Sequence, residues 1–516
     1  MVRRGKRDLL GTHQVEIGLE KKHFHARYGN AIAGYGLVLM IALQLIIMGC
    51  APVGPNYEPP QPVSPRSCRS WHTGLEAGLS TSPPNPTLLA KWWTALGDPV
   101  LSSLEKRAVA GNLQLKEALA RVREARALRG VKRSALFPAL DATGGVTRQR
   151  TSGNTAVVRR TTLYTAGFDA GWELDIFGGA RRSIEAAQAQ LEAAQEGLTD
   201  VLVSLMAEVA LNYANVRTYQ ARLDAVAANI KAQEDIYQLN VSRYKAGLID
   251  ELDVQQSLYM LENTRAQVPQ LKRDLETAKN RLAVLLALPP GALEKELAPR
   301  SPIPVPPVQV AVGIPADTLR RRPDVRKAER ELAAATAQIG VATAELYPKF
   351  RLSGSIGLES LSARDLLEWV SRTWKFGGVI SWKIFDAGAI RQNIKVQTAR
   401  QEQALARYEA AILGALEEVE NALVSFAKEQ RRLASLSSAA QAASRSLELA
   451  RDRYKAGLVD FTTVLDAERA FQSLQDQVAA SRGTVTSNFI RLYKALGGGW
   501  GLMDEVKEIY EKAEEK

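Results

Sequence analysis

Between Ala180 and Ser242, apolar or small side chains return every three or four residues, at Ile184, Ala187, Leu191, Ala194, Leu198, Val201, Leu205 and Val209. That spacing keeps them on one side of a helix and predicts a seam along which a neighbour packs. About sixty residues at 1.5 Å each make a rod of roughly 90 Å, far longer than a globular domain requires. The pattern breaks at Lys245-Ala246-Gly247 and resumes over about 251–288, which predicts a tight turn and a returning helix. It recurs from about Ala389 to Arg453 and from Thr462 to Leu496. Because Ala, Gln and Glu dominate these rods, helices can approach on two sides while other faces stay wet. A hollow helical barrel and a solid coiled coil both fit.

A second period appears between the rods. From Tyr164 to Asp175 the even positions are Tyr164, Ala166, Phe168, Ala170, Trp172 and Leu174, and the odd ones are Thr165, Gly167, Asp169, Gly171, Glu173 and Asp175. Phe376, Gly378, Ile380, Trp382 and Ile384 alternate in the same way, while Leu140 to Val146 and Phe350 to Leu358 supply one apolar face to each of two more strands. Segments of about ten alternating residues suit a membrane barrel around a water-filled lumen, with Trp172, Phe168, Trp382 and Ile380 facing lipid. They also suit a soluble half-buried sheet. Four strands cannot close a barrel, and lipid tolerates no open edge, so a barrel must be assembled from several chains. Two chains give eight strands with a filled interior, whereas three give twelve and leave a lumen.

These elements are duplicated. Arg243-Tyr244-Lys245-Ala246-Gly247-Leu248-Ile249-Asp250 returns 210 residues later as Arg453-Tyr454-Lys455-Ala456-Gly457-Leu458-Val459-Asp460, and the same offset pairs Trp172 with Trp382 and Arg181 with Arg391. A repeat this long, held in register, means two equivalent structural units rather than a short solenoid period. The expected organisation is a leader over 1–49, a Pro-rich segment over 50–90, a first repeat over 91–288, a Pro-rich join over 289–323, a second repeat over 324–500 and a charged tail over 501–516.

Composition narrows the chemistry. The 516 residues carry Lys+Arg 67 and Asp+Glu 56, a net charge of +11, with 46% hydrophobic residues. Seven of the bases and three of the acids precede residue 50, and the rest alternate in sign, which argues against a nucleic-acid footprint. All four histidines precede residue 73 and the two cysteines are Cys50 and Cys68. Ser-His-Asp or Cys-His nucleophiles, His- or Cys-ligated zinc and CxxC redox chemistry are thus excluded from most of the chain, and neither an enzyme nor a cofactor is expected. The 18-residue apolar run from Ala31 to Met48 follows a basic region and ends at Gly49-Cys50 before a Pro-rich tether, which suggests lipoprotein processing with lipid on Cys50. An uncleaved membrane anchor is the competing reading.

Over roughly residues 50–500 the sequence resembles the TolC-like outer-membrane factors, in particular the NodT-type efflux lipoproteins. The carriers are Cys50 with Val53-Gly54-Pro55-Asn56-Tyr57, Trp92-Trp93 with Asp98-Pro99-Val100-Leu101, and Trp172-Glu173-Leu174-Asp175-Ile176-Phe177-Gly178-Gly179. With them go Ile314-Pro315, Leu319-Arg320-Arg321-Arg322-Pro323-Asp324-Val325, both Arg-Tyr-Lys-Ala-Gly turns, and Leu492-Tyr493-Lys494-Ala495-Leu496-Gly497-Gly498-Gly499-Trp500. The resemblance implies a mainly α fold with a membrane β-barrel contribution. It implies a homotrimer whose twelve-stranded barrel is continuous with a long α-helical barrel, acting as an outer-membrane exit duct. Its partners would be a periplasmic adaptor, an inner-membrane pump of the RND type and outer-membrane lipid. Adaptor-docking turns would fall on Gly247, Leu248, Gly457 and Leu458, and a periplasmic gate on Thr462, Thr463, Asp466 and Arg469, with Tyr454 latching neighbouring helices. One gating pattern of the family has two aspartates where this chain has Thr463 and Asp466. Glycine alone needs no partner to explain it at a turn, but an apolar leucine projecting there favours a contact surface. Type I protein secretion and a lipid-anchored structural coiled coil are the alternative functions.

Overall fold

The computed structural model describes residues 51–60, 71, 78–154, 160–307 and 309–514. Cys50, Cys68 and the four histidines lie outside them. The chain forms α1 (Pro99–Gly111), α2 (Leu113–Ser134), β1 (Ala139–Arg150), β2 (Arg160–Leu174), α3 (Gly179–Lys245), α4 (Glu251–Arg265), α5 (Gln267–Leu285) and α6 (Pro315–Arg321). Then follow α7 (Pro323–Ala344), β3 (Lys349–Ser360), β4 (Arg372–Ser381), α8 (Ala389–Lys455), α9 (Phe461–Ala495) and α10 (Met503–Glu514). The elements α7, β3 and α8 begin and end 210 residues after α2, β1 and α3. The 67-residue helices α3 and α8 are each roughly 100 Å long.

Two compact units divide the chain. One gathers the segment up to Tyr57, Gly130–Ala186 and Ala335–Ala399; the other gathers Glu58–Arg129, Ala187–Ala334 and Arg400–Lys516.

The first unit is built on an antiparallel sheet of order β1-β2-β3-β4, so β1 and β4 are its edges. The two hairpins meet where Gly167 pairs with Gly357. A Cβ on Gly167 would stand 2.7 Å from the Ile356 carbonyl oxygen, and one on Gly357 would stand 2.6 Å from that of Ala166. Only glycine permits so close an approach. The Trp172 indole donates to the Leu136 carbonyl at 3.0 Å, and Trp382 repeats this 210 residues on, donating to Leu346 at 3.0 Å. Trp382, expected inside the fourth strand, follows its last residue: β4 ends at Ser381, which pairs with the first residue of β3, so the ladder has run out.

The second unit is helical. At its centre Trp92 is fully buried against Trp93, Phe489 and Tyr493 at ring separations of 6.1, 6.3 and 6.2 Å. The Pro-rich join lends carbonyls to this core. Pro299 accepts from Arg217, Leu297 from Gln220 and Pro304 from Thr486. The helix expected over 251–288 is broken at Ala266, whereas α9 runs 35 residues unbroken. Pro269 has no N–H for the Arg265 carbonyl and its ring crowds that group; the second repeat has Ala479 at the equivalent position.

Candidate functional site

Two sets of residues, one in each unit, carry the chemistry the sequence singled out. In the sheet, the ladder aligns even positions with even ones across all four strands. Phe168 stands between Ala142 and Ile356, and Ile356 stands beside Trp374; Leu174, Phe350 and Ile380 form another row. The result is one apolar face, exposed at Phe168 (54%), Ile356 (66%) and Ile380 (66%). Trp172 shares this face at 36% exposure but spends its N–H on Leu136. The opposite face is polar or small, with Asp141 opposite Asp169, then Ser355 and Lys375 across the sheet. Thr143 donates to Asp169 at 2.7 Å.

Beside the sheet, the segment after Cys50 has a seat that the sequence reading missed. Arg182 donates to the carbonyls of Val53 at 3.1 Å and Gly54 at 3.2 Å and to Asn56 Oδ1 at 2.7 Å, and pairs with Glu185 at 2.8 Å. Its side chain is only 3% exposed. Gly340 makes room, since a Cβ there would meet the Val53 carbonyl at 2.9 Å. A signal existed: Gln392 stands 210 residues after Arg182, so only one repeat carries the arginine and only one strap is held.

In the second unit, both turns end their helices by the same hydrogen bonds. Gly247 N–H donates to Tyr244 and Leu248 N–H to Arg243, both at 2.9 Å; Gly457 donates to Tyr454 at 3.0 Å and Leu458 to Arg453 at 2.9 Å. The glycines have φ of 71° and 69°, the left-handed values this cap needs. Leu248 and Leu458 remain 72% and 73% exposed. The turns lie near each other: burial, then the charges of Asp250 and Asp460, push the Asp253 carboxyl up.

Thr462, Thr463, Asp466 and Arg469 share the exposed side of α9, while Phe461, Val464, Leu465 and Glu468 face inward. Asp466 pairs with Arg469 on its own helix at 3.6 Å, and the Arg469 guanidinium lies 5.8 Å from the Tyr259 ring centroid. Tyr454 packs on Phe461, takes the Arg243 guanidinium over its ring at 5.0 Å, and donates to Asn240 at 3.3 Å. Asn240 is fully buried and its amide reaches the Asp253 carbonyl, so one residue links α3, α4 and α8. Burial pushes the Glu468 carboxyl up against the pull of Arg451, 3.4 Å away. In the Arg-Pro-Asp motif, burial opposes ionisation of Asp324, but bonds from Arg322 win and hold its carboxyl below the usual range. Arg322 also reaches Glu418 and the Ala495 carbonyl.

A duplicated chain that pairs long helical hairpins with a sheet apolar on one face and open at both edges defines a class of protein, the subunit of an outer-membrane channel. The chain belongs to the outer membrane efflux protein family, whose model matches residues 104–288 and 314–498. Nodulation protein T of Rhizobium leguminosarum bv. trifolii is 32% identical over 462 residues, covering 88% of this chain and 96% of its own. The pyoverdine export outer membrane protein OpmQ of Pseudomonas aeruginosa is 32% identical, covering 88% and 96%. Among solved structures, the outer-membrane channel OprN superposes with a TM-score of 0.81 at 35% identity, covering 87% of this chain and all of that one. The Neisseria gonorrhoeae MtrE channel gives 0.75 at 27% identity, covering 87% and 99%. The protein is therefore an outer-membrane efflux channel of a transport family without enzymatic chemistry.

Proposed function

We propose that three copies of this chain form the exit duct of a tripartite efflux system, conducting passively what an inner-membrane pump delivers through a periplasmic adaptor. The observation that carries the reading is the sheet's apolar face, in register across four strands, of which β1 and β4 have no strand on their outer edges among the described residues. Unpaired edges in lipid cost several kcal/mol per backbone group, so chains must join edge to edge, and three give the first lumen wide enough to conduct. Lipid on Cys50 would hold the chain to the membrane, consistent with the strap seated on Arg182. The exposed leucines Leu248 and Leu458 at the capped turns are the adaptor's contacts. Asp466 and Arg469, with Thr462 and Thr463, line the gate that Tyr454 latches. Toluene and pyoverdine, named for relatives, favour small molecules over protein secretion, and the RND-type pump is what the sequence resemblance implies.

The test is accessibility of substituted cysteines in planar bilayers, in a Cys68→Ser background. A bulky, membrane-impermeant thiol reagent should lower conductance when it modifies Ser355→Cys on the polar face. It should leave conductance unchanged with Ile356→Cys on the apolar face. Equal effects at both positions, or no conductance at all, would sink the duct.

A further inference from the structure

The apolar face does not end alike at its two margins. Near the helices its last rows hold Trp172, Leu174, Phe350 and Ile380, without charge. At the hairpin margin the same even-numbered face turns basic, with Arg148, Arg150 and Arg160, and Arg372, the first residue of β4, stands further in, in the row of Leu358 and Ala166. At that height the polar face carries Thr147, Gln149, Thr161, Leu163 and Glu359, so the arginines have been sorted to one side. Arg150 and Arg160 stand directly opposite each other in the ladder. Like charges so placed weaken a strand pair, a cost that an anion bridging the two guanidinium groups would offset. Arg372 lies over the ring of Trp369, itself 75% exposed, at the start of β4.

The distances suit a bilayer. The eleven residues from Tyr164 to Leu174, ten steps apart at their ends, cover roughly 33 Å of strand and, at a tilt of about 40°, about 25 Å of membrane thickness. The arginines of β1 and β2 start just beyond that band, on the side away from the helices. A guanidinium fork matches phosphate oxygens in pairs, and basic clusters at a membrane margin read anionic headgroups. We infer that this arginine margin binds the phosphorylated headgroups of outer-leaflet glycolipid. Because the even-numbered face is charged towards the hairpins and not towards the helices, such binding would be confined to one leaflet. The inference rests on the reading that the even-numbered face meets lipid.

The experiment uses the full chain purified in detergent, titrated with bisphosphorylated lipid A and followed by native mass spectrometry. Arg150→Gln with Arg160→Gln should weaken binding about tenfold, the loss expected for removed charge-assisted contacts, and Arg372→Gln by less. Phosphatidylcholine should bind the parent and the variants alike, and excess inorganic phosphate should not displace lipid A. Unchanged lipid A affinity in the double variant overturns the inference, as does full displacement by free phosphate. If the double variant does not assemble, Arg160→Gln alone, which also removes the facing charge, carries the same test. A fluorophore on Ile356→Cys in the Cys68→Ser background, quenched by brominated acyl chains, checks the underlying reading. Absent quenching removes the lipid-facing sheet itself, whereas quenching with unaltered lipid A binding removes only the headgroup site.

Discussion

Glu105 is a carboxyl on α1 with no exposed surface, and neither of its oxygens has a hydrogen-bond partner among the described residues. Burial alone pushes it well above the ordinary glutamate range. The folded chain thus holds this proton more tightly than the unfolded chain. Its contribution to stability is most favourable below the unfolded value and is lost as pH rises through the folded one. Glu105→Leu, among buried Leu101, Leu104, Ala108 and Val109, should stabilise the protein at neutral pH by about 1–3 kcal/mol, the cost of an unsatisfied buried polar group. Melts of both proteins from pH 5 to pH 8 check this; parallel curves would show that the carboxyl has a partner. Arg182 makes the opposite case, a buried charge with all three guanidinium nitrogens hydrogen-bonded. Arg182→Gln should free the strap at Pro52–Asn56, seen as faster amide exchange at Val53, with a loss of about 1–3 kcal/mol.

At the scale of elements, the turns separate folding from contact. A Cβ on Gly457 would meet nothing within 4 Å, so Gly457→Ala should cost only the left-handed backbone penalty, about 1 kcal/mol, and leave export intact. Leu458→Asp should do the reverse. A side chain 73% exposed contributes little to the fold, so unfolding should not shift while export in cells fails. Normal export by Leu458→Asp would remove the turn from the docking surface. The same helices hold the residues proposed to restrain a gate. Tyr454→Phe with Arg469→Ser removes the bond to Asn240 and the cation over Tyr259, and should raise single-channel conductance.

For the whole molecule, the two faces of the sheet make unequal demands on the same substitution. Phe168→Arg, placed in lipid near mid-membrane, should cost about 2–4 kcal/mol and deplete the heat-modifiable oligomer on gels, whereas Ser355→Arg in the lumen should assemble. Equal yields from both would mean that the sheet does not sit in a membrane. No helix among the described residues is long and apolar enough to cross one.

The sequence by itself determined whatever depends on periodicity and on the chain's own bonds. Period two sorted the even and odd faces, period 3.6 produced the rods, and glycine at positive φ ended them, because each is local chemistry repeated every 210 residues. Tertiary structure decided what depends on residues far apart in the chain. The ladder ran out one residue before Trp382, since a strand lasts only as long as its partner. Arg182 found the Val53 and Gly54 carbonyls across about 130 positions, which no spacing rule connects. The break at Ala266 was legible in Pro269, but the strap, the Gly167–Gly357 approach and the facing pair Arg150 and Arg160 were not. They arise only when register brings separate segments to the same height in the sheet or onto the same guanidinium.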